Sequence, residues 1–230
     1  MAELSDWIPK TTLGRLVKEG KIKTMSEALR SGFVLREHEI VDTLLPNLKD
    51  EVINVRNVQR MTDSGRRMKF AVMVAVGNED GFVGLGVSRG REVGPEIKKA
   101  INAAKLNMIE VVRGCGSWEC GCGKPHTLPY KVVGRGGSVR AIFKPAPRGV
   151  SLAIGDIPKI IFRLAGIKDA WGVAKGQTKT TVNYALAAFD ALRNTATFKL
   201  RNEQIQRLKI RSGAVGEVIE EVVGVKNEHS

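Results

Sequence analysis

The segment GCGSWECGCGKPH places Cys115, Cys120, Cys122 and His126 within twelve positions, gathering every cysteine of the chain with one of its three histidines. Three thiolates and one imidazole make a tetrahedral donor set for zinc. The C-x-C pair is tighter than the usual gap of two to four residues, but Gly121 and Gly123 would let the backbone fold round an ion. Such a staple would hold a glycine-rich stretch with little apolar material of its own. The other reading is three reduced thiols in a loop, with Trp118 packed on a domain. With four protein ligands no position is left for a catalytic water, and no partner that would orient a Cys-His pair is evident. His38 and His229 are expected at the surface.

A second pattern is GFVGLGVSRGREVGPEIKK, where glycines run from an apolar segment into a helix-like one. Gly84, Gly86 and Gly90 give G-x-G-x-x-x-G, which is not the dinucleotide spacing, and no G-x-x-x-x-G-K-[ST] run occurs. Either the glycines let a neighbour approach the strand closely, or Arg89 and Arg91 use the adjacent helix start to meet an anion. Basic clusters recur at RRMK (66–69), RGR (89–91), GRGGSVR (134–140) and KPAPRG (144–149), all read as turns or their edges. Arginine there could reach an extended phosphate backbone.

Charge distribution favours a polyanion partner. The formal net charge is +13 over 230 residues. Residues 1–64 hold ten basic and ten acidic side chains, residues 65–213 hold twenty-six against ten, and the tail from Ala214 holds four glutamates against Lys226. The tail should therefore be solvated or face a basic neighbour. With 43% hydrophobic residues the chain can build a real core. The absence of a long apolar run predicts a soluble protein without a membrane span, the N-terminus lacks a secretory pattern, and the crowded odd cysteines suit a reducing cytosol.

The elements that must position these residues form an α+β arrangement. Residues 1–50 read as short helical pieces, with Leu13, Leu16 and Val17 on one face and Met25, Ala28 and Leu29 on another. EVINVRNVQRM, Met68–Val76 and Phe82–Val87 read as a three-stranded antiparallel meander with turns at Ser64-Gly65 and Asn78–Gly81. From Pro95, Ile97, Ile101, Ala104, Met108 and Val112 follow a helical period. Beyond the cysteines, Leu128–Val133, Ser138–Phe143 and Val150–Ile154 read as strands, and Ala170–Ala174 as a weaker one. One helix is capped by Asp156 and closed by Gly166. Another, Thr178–Leu192, is expected to turn Val182, Ala185, Leu186, Phe189 and Leu192 inward.

Two long stretches, GRRMKFAVMVAVGNEDGFVGLGVSRGREVGPEIKKA (65–100) and PAPRGVSLAIGDIPKIIFRLAGIKDAWGVAKG (145–176), resemble the small-subunit ribosomal protein family conventionally numbered five, in its archaeal and eukaryotic form. The resemblance covers about residues 48–200. It implies an N-terminal helical extension (1–47) and a double-stranded-RNA-binding-like domain of three antiparallel strands plus a helix (48–113). A Cys-rich linker (114–126) follows, then a two-layer α+β domain with a left-handed crossover (127–200) and a C-terminal extension (201–230). It further implies a non-enzymatic, cytoplasmic protein that binds 16S rRNA, neighbours ribosomal proteins four and eight, lines the mRNA entry path and supports decoding accuracy. A free RNA-binding regulator is the alternative. Thr62–Arg67 resembles the family's loop that reaches ribosomal RNA, and Arg89 and Arg91 match basic positions of its glycine loop. The expected RNA-binding residues are Ser64, Gly65, Arg66, Arg67, Lys69, Arg89, Arg91, Arg135, Arg140, Lys144, Arg148 and Lys175. Bacterial and eukaryotic relatives lack the cysteines, so a metal would be local reinforcement rather than a family requirement.

Overall fold

A computed structural model describes residues 7–198 and 201–213. The expectations for the acidic tail and His229 lie outside these residues. The chain opens with three short helices, α1 (Thr12–Lys18), α2 (Met25–Arg30) and α3 (Glu39–Leu44). The Thr11 hydroxyl accepts the Gly14 N–H at 3.1 Å, and Thr24 and Glu27 cap α2 reciprocally. Pieces of six or seven residues do not persist alone. They are held because Leu13, Val17, Met25, Ala28, Ile40 and Val41 bury themselves in one cluster with the first sheet. The N-terminal extension is thus part of a core.

That sheet has four antiparallel strands in sequence order: β1 (Lys49–Thr62), β2 (Gly65–Gly77), β3 (Phe82–Gly90) and β4 (Met108–Glu110). Three were expected. Helix α4 (Val93–Leu106) ends before Met108, which pairs with Gly84 as a strand residue, while Val112 lies in β5 (Val112–Arg113). Their apolar spacing continued the helical period by coincidence. Along β2 the pleat separates two cores. Val72, Val74 and Val76 join Ala100 and Ala104 of α4 and the N-terminal helices, whereas Met73 and Ala75 join the second half of the chain.

The second sheet contains β6 (Val132–Gly136), β7 (Val139–Pro145), β8 (Leu152–Ala153) and β9 (Ala170–Lys175) in the order β6-β7-β9-β8. Only β8 and β9 are parallel, and α5 (Asp156–Leu164) joins them, since parallel neighbours need a long connection. Helices α5 and α6 (Thr181–Asn194) cover one face, giving two layers. A last helix, α7 (Asn202–Leu208), leads to β10 (Arg211–Ser212), which pairs with β5. Ile161, Phe162, Leu164, Phe143 and the alanines of α6 share a cluster with Met73, Ala75, Val83 and Leu85, so one core runs from the first sheet into the second unit. Full burial of each large side chain such as Phe143 or Phe162 contributes about 1.5–3 kcal/mol.

Several local expectations shift. The cap of α5 is Gly155, and Asp156 occupies the first helical position without a side-chain cap bond. Leu186 is 40% exposed, and Ala187, Ala188 and Ala191 are buried in its stead. GRG lies inside β6 rather than in a turn, which falls at Gly137-Ser138, and the strand starts at Val132 rather than Leu128. Among the described residues no helix is long and apolar enough to cross a membrane.

Candidate nucleic-acid interface and metal centre

The β1–β2 hairpin closes with Thr62 opposite Gly65, whose φ of +115° favours glycine. The Thr62 hydroxyl donates to the Gly65 carbonyl at 2.8 Å. Ser64, Gly65, Arg66, Arg67 and Lys69 are all exposed. Strand register divides them: Arg67 stands opposite Arg60, Lys69 opposite Val58, and Ala71 between Arg56 and Arg89. Cross-strand partners share a face, so Arg67, Lys69 and Arg89 line up with Arg56 and Arg60 while Arg66 points to the other side. A groove of about 430 Å³ is lined by Val58, Arg60, Lys69, Phe70, Ala71 and Arg89. Arg91 is exposed in the turn before α4, outside this row. Arg56 and Arg60 were missed by motif reading, because only the register shows that they extend the same stripe.

The second sheet repeats the theme on its uncovered face. Arg135 pairs with Arg140, and Arg140 with Lys175, so three cations lie side by side across β6, β7 and β9. Lys144, four positions along β7, projects from the same face beside Trp171. Val133, Ile142 and Val173 form an apolar row between them. Like charges directly opposite destabilise a sheet. Among the described residues none of these side chains, nor Arg67, Lys69 or Arg89, forms an ion pair. These residues were expected at turns; most stand in strands, where the ladder holds them in register. Alternating Arg and Lys with Val and Trp on one open surface offers both phosphate and base contacts.

The glycines of the GFVGLGVSRG segment do something else. A Cβ at Gly84 would run into the Ala104 carbonyl, and one at Gly86 into the Ala100 carbonyl and the Ala104 amide. They admit α4 onto the sheet.

The cysteine loop is pinned at its neck by reciprocal backbone bonds between Gly114 and Thr127, at 2.9 and 3.0 Å. Within it the ligand atoms of Cys115, Cys120, Cys122 and His126 all lie within 4.8 Å of one another. Cys115 Sγ is 3.8 Å from Cys122 Sγ, and Cys120 Sγ is 3.5 Å from His126 Nε2. Zinc bonds of about 2.3 Å to sulfur and about 2.0 Å to nitrogen give tetrahedral edges of roughly 3.8 Å and 3.5 Å. The cluster therefore fits such an ion. Burial, with the neighbouring sulfurs, pushes the Cys115 thiol up to about 11, while backbone amides of Cys122 and Arg148 pull Cys120 down to about 6. Trp118, packed on a domain in the alternative reading of free thiols, is 90% exposed.

A residue that the sequence did not single out completes the site. Asp169 Oδ2 lies 2.8 Å from His126 Nδ1, leaving Nε2 toward the sulfurs, and both residues are buried. Ligating histidines commonly hold such a carboxylate on the second nitrogen. Nothing local in GIKDAW links it to a histidine 43 positions away; the one hint was a carboxylate in a block short of them. Arg148 is exposed beside the centre and lines a cavity of about 560 Å³ with Lys124, Lys168 and Arg211.

Residues 48–112 match the family described as ribosomal protein S5, N-terminal domain, and residues 134–209 match ribosomal protein S5, C-terminal domain. The chain is 59% identical over 210 residues to the small ribosomal subunit protein uS5 of Thermoplasma volcanium, covering 91% of this chain and 95% of that one. The protein of the same name from Picrophilus torridus is 59% identical over 211 residues, 92% of this chain and 96% of that one. That of Methanothrix thermoacetophila is 56% identical over 197 residues, covering 86% and 97%. Both halves of the fold and nearly the full length thus agree, and the chain belongs to the S5 family of ribosomal proteins, a structural family without enzymatic activity.

Proposed function

We propose that the chain is a structural constituent of the small ribosomal subunit, in the cytoplasm, and that it binds 16S-type ribosomal RNA through the hairpin stripe and the open face of the second sheet. The observation that carries this reading is the cross-strand alignment of the Arg135, Arg140 and Lys175 side chains, none of which is ion-paired among the described residues. Such a row is unfavourable unless an external polyanion neutralises it. Family membership supplies the context, and names of relatives point to the particle. Ser64, Gly65 and Arg66 at the hairpin tip, with Arg91 and Lys144, belong to the same interface in this reading. Contacts with ribosomal proteins four and eight, a place along the messenger entry path and an influence on accuracy follow from the resemblance.

The test is the salt dependence of binding between the full chain and a 16S-type ribosomal RNA transcript. Replacing Arg67, Arg89, Arg140 and Lys175 by Ala should lower the slope of log K against log salt by about 0.7–0.9 for each phosphate that is no longer neutralised. An unchanged slope would exclude these residues from the interface. A free RNA-binding regulator would instead remain outside the small subunits when a cell extract is sedimented.

A second reading concerns the cysteine loop, where two of the ligand-atom separations match tetrahedral edges and all four ligand atoms lie within 4.8 Å of one another. In it zinc binds Cys115, Cys120, Cys122 and His126, closes the loop and supplies no chemistry, all four positions being filled by protein. Metal analysis of purified chain should find about one zinc per molecule.

A further inference from the structure

We infer that the ion held by Cys115, Cys120, Cys122 and His126 sets the conformation of the 147–151 loop, with Asp169 as the positioning residue, and thereby fixes where Arg148 is presented. This rests on the zinc reading above. It goes beyond it by making the metal a determinant of one basic loop rather than a local staple.

Asp169 joins the two parts with its two oxygens. Oδ2 lies 2.8 Å from His126 Nδ1, and Oδ1 accepts from the Gly149 amide at 3.1 Å and the Ser151 amide at 2.8 Å. The backbone repeats the link, because the His126 carbonyl accepts from the amides of Lys168 and Asp169 at 2.9 and 3.2 Å. Two amides of one five-residue loop are therefore anchored on the carboxylate that orients a metal ligand.

The loop needs such anchoring. Gly149 has φ of +97° and Ser151 has φ of +62°, a conformation that costs a serine energy unless its surroundings hold it. An ion on Nε2 obliges His126 to carry its proton on Nδ1, which fixes the ring and gives Asp169 a steady donor. Without the ion the imidazole can exchange its tautomer and Cys120 can turn away. Arg148, whose side chain is exposed beside Lys124 and Lys168, then loses its fixed position.

The experiment uses the full chain and zinc alone. Metal content is measured first and tests the underlying reading; a chain purified without zinc and refusing it would overturn both. With zinc bound, amide exchange in the 147–151 segment is followed by mass spectrometry before and after removal of the ion with a strong chelator. The expected result is exchange at least tenfold faster there, with β2 and β3 unchanged and the effect reversed by zinc. Stoichiometric zinc with unaltered exchange in that segment would overturn this inference and leave the zinc reading standing. Equal acceleration throughout both sheets would do the same, by assigning the ion to the fold at large. In parallel, Asp169→Asn sets an amide donor against the His126 Nδ1 proton and should weaken zinc binding ten- to hundredfold in competition with a chromophoric chelator. Affinity equal to the unsubstituted chain would remove Asp169 from the role.

Discussion

The first and second sheets solve one packing problem in the same way and then part company. In each, a G-x-G on a strand lies beneath an alanine-bearing helix. Gly84 and Gly86 receive Ala100 and Ala104 of α4, and Gly134 and Gly136 receive Asn183, Ala187 and Ala191 of α6. In each, a methyl group on the strand would strike helix backbone rather than a side chain that could swing aside. The sheets differ in what covers the other face. Behind β2 lies the core shared with the second unit, whereas the outer face of β6, β7 and β9 is left uncovered by the described residues and carries Arg135, Arg140 and Lys175. Glycine spacing that suggests phosphate recognition thus reports helix seating, and the phosphate-seeking groups sit where no helix is seated.

The sharpest way to break this comparison is to add the methyl. Gly86→Ala and Gly134→Ala should each cost about 3 kcal/mol, the upper end of overpacking, because helix backbone must retreat. Urea unfolding of each variant measures it. A loss below about 0.5 kcal/mol at either glycine would show that the two helices are not seated alike.

How much of this was legible beforehand depended on the range of the signal. The hairpin, α4 and the strands and helices of the second unit follow from periodicity of 2 and 3.6, which local sequence carries, whereas the two-layer arrangement of that unit was implied only by the family resemblance. The paired G-x-G and A-x-x-x-A patterns were visible too, but their match spans 14 to 57 residues and needs a known docking of helix on sheet. Met108 was misread because a strand directly after a helix kept the spacing. Leu186 was misplaced because α6 turns its alanines, not its largest apolar side chains, toward the glycines. The metal ligands were found because all four lie within one loop, while Asp169 was not, since only the fold brings it to His126. The N-terminal helices read as accessories, and their burial against β2 depends on contacts across some sixty residues.

A smaller effect separates the sheets by pH. Both tyrosines of the chain belong to the second unit. The Tyr130 hydroxyl donates to the carbonyls of Thr195 at 2.6 Å and Asn194 at 3.3 Å, tying the entry of β6 to the end of α6, and burial pushes its pKa up to about 12. A folded-state pKa above the unfolded value of 10 means that the stabilisation is complete below pH 10 and disappears as pH rises through about 12. Burial raises the pKa of Tyr184 as well, so both tyrosines should titrate later than a free tyrosine, and Tyr130→Phe should delete the component near pH 12. That variant also leaves the two carbonyls without the hydroxyl, at about 1 kcal/mol. Two tyrosines titrating together near pH 10 would sever the link between β6 and α6.

The smallest effect has the opposite sign and isolates the packing argument. Gly94 belongs to the same run of glycines as Gly84 and Gly86, but lies in the first turn of α4 with nothing within 4 Å of a Cβ built there. Its backbone is not left-handed, so alanine fits without strain. Gly94→Ala should raise stability by a few tenths of a kcal/mol, less than the full 1 kcal/mol of a helix interior, because the first turn frays. Were Gly94→Ala as damaging as Gly86→Ala, the run would be acting through some property shared by all its glycines, and the seating of α4 could not be that property, since Gly94 touches nothing beneath it.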